Sequence, residues 1–145
     1  MRSWMPAALL AVALSLGACA GPRIQEVSLT AVDMAFQPTA LEVTAGVPVR
    51  LTMMNEGTFV HDFSILEIPI ETTGATAVAM PGHDMGAMTV EPQLHMPVTM
   101  GMSNTIEFTP TKPGTYEFFC TVAGHKDAGM AGTMVVKAPC PALAA

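Results

Sequence analysis

Three side chains that can bind a soft metal recur at intervals of five in Cys120-Thr-Val-Ala-Gly-His125-Lys-Asp-Ala-Gly-Met130. That spacing fits neither regular element. On a helix, five residues turn about 500°, which points successive donors about 140° apart. On a strand, an odd interval sends them to opposite faces. Gly124, Gly129 and Gly132 also oppose a helix. A loop is what brings the three together, and a bound metal is the simplest reason to do so. A thiolate and two imidazoles in a trigonal set, with a weak axial thioether, suit copper. The second imidazole must come from elsewhere, and His61 is well placed, in Phe59-Val60-His61-Asp62-Phe63 after the turn Asn55-Glu56-Gly57.

The elements that must position these donors read as strands. Val27, Leu29 and Ala31 share one face, Leu41 and Val43 another, and Val47, Val49, Leu51 and Met53 alternate with Pro48, Arg50, Thr52 and Met54. Ile106 and Phe108 flank Glu107, and Tyr116, Phe118 and Cys120 alternate with Glu117 and Phe119, with Tyr116, Phe118 and Phe108 read as core. Residues 133–137 form a last strand. Period-two alternation of this kind marks half-buried strands. Turn signals at Ala45-Gly46, Asn55 to Gly57, Pro110 to Gly114 and Gly124 to Gly132 separate them. The expected fold is an all-β sandwich or barrel.

Residues 67–102 break the pattern, with Pro69, Pro81, Pro92 and Pro97 and few alternations. This Met/His/Pro-rich stretch is expected to be a long insert, functional or mobile. His83, Met85 and Met88 form a candidate auxiliary Cu(I) site, because thioethers are soft ligands; a lid packed by adaptable Met side chains is the competing reading.

Residues 1–18 read as an export signal: Arg2, an apolar run from Ala7 to Leu14 too short for a good membrane span, then Leu16-Gly17-Ala18-Cys19. The last four residues resemble a bacterial lipobox, which makes Cys19 the expected lipidation site and residues 19–25 a tether. Lipid would hold the domain at a membrane surface without crossing it. Cleavage near Ala18 or Ala20 with a free Cys19 is the alternative. The domain then spans 26–138, with a tail at 139–145.

Composition narrows the function. The 145 residues suffice for one domain, half of them are hydrophobic, and the 12 Gly and 12 Pro favour turns. The net charge of −6 and scattered cations argue against nucleic-acid binding. No Ser-His-Asp set or catalytic carboxylate pair is visible, so an enzyme is not expected.

Taken together, the chain resembles the cupredoxin family, near its plastocyanin-like and auracyanin-like members. The resemblance lies in Ala45 to Val49, Asn55 to Phe63, Pro113 to Cys120, and the loop through Met130 with its return strand to Val136. It implies a Greek-key β-sandwich holding one type 1 copper ion: Cys120 as dominant thiolate, His61 and His125 as equatorial imidazoles, Met130 as axial ligand. In relatives the imidazole matching His125 reaches an apolar patch used as an electron port, and Ala123, Gly124, Ala128 and Gly129 suit such a patch. The implied function is single-electron transfer at the periplasm or cell envelope, with a cytochrome or oxidoreductase as partner. A copper chaperone or resistance protein using the Met-rich segment is the rival, and a metal-free structural lipoprotein a third class. Asp62 departs from the Asn that many relatives carry there, which leaves the hydrogen bonding around the ligands open. Residue by residue, other readings stand: Cys120 bridged to Cys140, His61 as a buried structural group, and Met130 as plain core.

Overall fold

The computed structural model describes residues 24–71 and 91–140. Ten strands make up its regular structure: β1 (Gln25–Val32), β2 (Ala35–Gln37), β3 (Ala40–Thr44), β4 (Val49–Asn55), β5 (His61–Ile65), β6 (Ile70–Glu71), β7 (Leu94–Val98), β8 (Ser103–Pro110), β9 (Gly114–Phe119) and β10 (Ala131–Lys137). They form two five-stranded sheets, ordered β2-β1-β4-β8-β6 and β3-β10-β9-β5-β7. The β1–β4 and β3–β10 pairs are parallel and the others antiparallel. From β2 to β9 every connection passes from one sheet to the other. The expected all-β sandwich is the fold observed. No helix among the described residues is long and apolar enough to cross a membrane.

Alternation explains the packing. On β4, Val49, Leu51 and Met53 are buried while Arg50, Thr52 and Met54 face outward. The outward row pairs with β8: Arg50 sits opposite Glu107 and bonds it at 2.6 Å, and the Thr52 and Thr105 hydroxyls meet at 2.9 Å. Between the sheets, Phe118 contacts Phe36 edge-on and Phe63 at a tilt, each with ring centroids 5.3 Å apart. These rings are fully buried, and burying one such side chain contributes about 1.5–3 kcal/mol.

Several expectations need correction. The stretch 67–102 is not all insert: β6 and β7 lie inside it, and β7 pairs along the whole of β5, the strand that opens with His61. Pro97 is accommodated because β7 is an edge strand, where a missing N–H breaks no ladder bond. Residues 72–90, with the auxiliary candidates His83, Met85 and Met88, lie outside the described residues, as do the signal, Cys19 and residues 141–145. Strand β9 ends at Phe119, so Cys120 begins the loop rather than ending the strand. Val47 precedes β4 in a turn. Tyr116 is only partly buried, and its hydroxyl donates to the Lys112 carbonyl at 2.9 Å.

One end of the sandwich is chemically distinct. Asn55, His61, Asp62, Ser64, Thr121 and His125 are all buried there. Buried polar groups persist only where they find partners, and that end holds the candidate site.

Candidate metal centre

The loop between β9 and β10 explains the interval of five. Ala131 lies opposite Phe119 in the antiparallel pair, so the next residues in, Cys120 and Met130, face each other across the loop's neck. The Cys120 N–H donates to the Met130 carbonyl at 3.1 Å. The Met130 N–H donates to the His125 carbonyl at 2.9 Å, and the His125 N–H to Val122 at 3.0 Å. Backbone bonds therefore stitch the three donor residues together before any metal is considered. Gly129 adopts φ +103°, a region that side chains oppose. Lys126 ties the loop to β9 by a 2.6 Å contact with Glu117 and by lying 4.0 Å over the Phe119 ring.

His61 arrives from the other direction, as the first residue of β5. Its turn is organised by the buried Asn55, whose amide donates to the Phe59 and Val98 carbonyls, each at 2.8 Å, and whose oxygen accepts from the Gly57 N–H at 3.0 Å. The result is a close cluster. The Cys120 Sγ lies 3.5 Å from Nδ1 of His125 and 4.0 Å from Nδ1 of His61, and the three ligand atoms are mutually within 4.8 Å. All three residues are buried. Bonds of about 2.0 Å to nitrogen and about 2.3 Å to sulfur, as at zinc, would place N and S about 3.7 Å apart around a trigonal ion. The observed separations bracket that value, so the donor set fits one metal ion.

Electrostatics also suit a cation. Burial, and then the Asp62 charge, push the Cys120 thiol up to about 12, against the opposing backbone N–H groups of Asp62 and Val122. A thiolate here therefore needs a positive neighbour. Burial and the nearby His125 lower the pKa of His61, which favours the neutral imidazole that a metal requires. Met130 is fully buried beside the cluster's backbone.

The Asp62 carboxylate has an extensive network. It accepts from the Thr121 N–H at 3.0 and 3.1 Å, the Thr121 hydroxyl at 2.8 Å and the Ser64 hydroxyl at 2.7 Å. The Cys120 thiol points at it from 3.7 Å. Since Ser64 gives its one proton to Asp62, its oxygen accepts from Nδ1 of His95 on β7 at 2.8 Å. Thr121, Ser64 and His95 were not singled out by sequence; Thr121 follows Cys120 directly, and Ser64 lies two residues past Asp62.

Cys120 and Cys140 are both free, the first buried and the second exposed, which removes the disulfide reading. Ala123, Gly124, Ala128 and Gly129, on the loop that carries the buried His125, are exposed. Phe59 joins them, 52% exposed, with its ring 6.1 Å from the His125 ring.

A β-sandwich that gathers a thiol and two imidazoles at one end belongs to a metal-binding class of protein. The chain belongs to the cupredoxin-like domain family, whose sequence model matches residues 6–136. It is therefore a cupredoxin-like copper protein. It is similar to the copper-resistant cuproprotein CopI of Pseudomonas aeruginosa, at 30% identity over 72% of this chain and 72% of the relative. The CopI of Rubrivivax gelatinosus is 29% identical, covering 72% of this chain and 61% of the relative. Auracyanin-B of Chloroflexus aurantiacus is 27% identical over 71% of this chain, which spans 47% of the relative's length. Among solved structures, dithionite-reduced auracyanin from Roseiflexus castenholzii superposes with a TM-score of 0.60 at 25% identity, covering 80% of this chain and 98% of its own. An auracyanin B structure gives 0.59 at 28% identity, covering 78% and 88%.

Proposed function

We propose that this protein carries single electrons through one type 1 copper ion that Cys120, His61 and His125 would hold, with Met130 as a further donor. The observation that carries the reading is the convergence of one thiol and two Nδ1 atoms in a buried cluster. The copper would supply a one-electron couple. The chain's own contribution is to hold the ligands still. The β5 ladder fixes His61, and the backbone bonds of the 120–130 loop fix the other donors. Rearrangement between oxidation states is thereby limited, because the two states prefer different coordination. His125 beside the exposed Phe59 offers the route to a redox partner, a cytochrome or oxidoreductase. Export, lipidation at Cys19 and tethering to a membrane surface at the periplasm or cell envelope belong to the same proposal.

Copper resistance is the second reading, favoured by the likeness to two proteins named for it. One measurement separates them. An electron carrier, isolated oxidised, shows strong visible absorption from thiolate-to-Cu(II) charge transfer and reversible one-electron chemistry. A chaperone instead binds Cu(I) without colour, keeps that binding in Cys120→Ala, and loses it when the Met residues of 80–102 are replaced.

A further inference from the structure

Asp33 lies in the turn between β1 and β2, far from the ligands in sequence, yet its Oδ1 sits 3.7 Å from Nε2 of His61. That Nε2 is buried and has no hydrogen-bond partner. The ring's two nitrogens thus face opposite ways: Nδ1 toward the Cys120 sulfur, Nε2 toward a carboxylate. Asp33 is held in place by the Thr58 N–H at 2.6 Å and the Thr58 hydroxyl at 2.8 Å.

Gly57 bears on the same contact. A Cβ there would come within 2.6 Å of the Asp33 Oδ1 and 2.7 Å of the His61 Nε2. Any side chain would wedge the two apart. The absence of a side chain at 57, the anchored carboxylate and the orphaned ring nitrogen therefore converge on one contact.

We infer that Asp33 is the positioning residue for His61: its carboxylate accepts the Nε2–H hydrogen bond when Nδ1 binds copper. The inference rests on the copper reading above. At 3.7 Å the contact is longer than a hydrogen bond, and the inference requires it to shorten in the copper-loaded protein. Two consequences follow. The proton is fixed on Nε2, so Nδ1 is the bare nitrogen that binds metal, which is how carboxylates commonly orient ligating imidazoles. The negative charge also favours Cu(II) over Cu(I). The Thr58 hydrogen bonds hold Asp33 below the usual carboxylate range, so it faces the ring as an anion.

The test uses the copper-loaded full chain and three variants: Asp33→Asn, Gly57→Ala and, as a control for loop anchoring, Thr58→Ala. Two readouts are taken: the reduction potential, and solvent exchange of the His61 Nε2 proton by NMR in the diamagnetic Cu(I) form. Asp33→Asn should weaken Cu(II) relative to Cu(I) binding tenfold or more, a rise of about 59 mV per tenfold for one electron, and speed the proton's exchange. Gly57→Ala should move both in the same direction, and Thr58→Ala should move them far less. Wild-type values of both readouts in Asp33→Asn would overturn the inference while leaving the copper reading intact. A wild-type protein that takes up no copper would instead sink that reading first.

Discussion

The two halves of the metal centre are built differently. His61 stands at the start of a strand, behind a turn organised by Asn55, and other groups around it come from distant parts of the chain: Val98 and Asp33. Cys120, His125 and Met130 share one loop and are fixed mainly by bonds among themselves. The strand side is held by the ladder between β5 and β7. The loop side is a short closed circuit fastened to the fold at its neck and by Lys126. A copper ion held there would join a framework-bound ligand to a locally bound set, so damage to each half should have a different signature.

The largest expected effect comes from the framework. Phe118→Ala removes a ring that contacts both Phe36 and Phe63, and should cost about 3–5 kcal/mol in a denaturant titration. Thr121→Val comes next. It takes one hydroxyl from the buried Asp62 carboxylate and should cost about 1.5–3 kcal/mol. Because that carboxylate faces the Cys120 sulfur, the visible band should shift as well, which Phe118→Ala need not cause.

Alkaline pH probes the loop side in the metal-free protein. The Cys120 thiol titrates near 12 in the folded chain, above its ordinary value of 9.0. Between those values the unfolded chain has lost a proton that the folded chain keeps. Stability is then full below about pH 9 and falls as pH rises toward 12, by up to about 1.4 kcal/mol per pH unit. Cys120→Ser should abolish this slope, and chemical denaturation across that range measures it.

Gly129→Ala strains a positive-φ position and should cost about 1–2 kcal/mol, with copper loading restoring part of it by mass action. The smallest effect belongs to Arg50→Ala, far from either half. Its ion pairs with Glu26 and Glu107 are solvent-exposed, and the melting temperature should stay close to that of the wild type.

The loop side was the more legible in sequence. Cys120, His125 and Met130 lie within eleven residues at a spacing only a loop satisfies, so the cluster could be read locally. The sandwich was legible wherever alternation was clean, as on β4. Strand β7 was not, because Leu94, Met96, Pro97 and Val98 are all buried and give no period of two. Strand β6 has only two residues. Asp33 left no trace either: its place beside His61 depends on β1 and β4 lying side by side in register, with Ala31 against Asn55. Asn55-Glu56-Gly57 read correctly as a turn, but the need for Gly at 57 comes from two side chains that approach it through space.

The most direct test is X-ray absorption at the copper edge on oxidised, copper-loaded protein and on its Cys120→Ser variant. The wild type should show one short copper–sulfur bond and two imidazole nitrogens, with the short sulfur bond missing from the variant. A short sulfur bond that survives Cys120→Ser, or a coordination shell without two imidazoles, would contradict the proposed copper site.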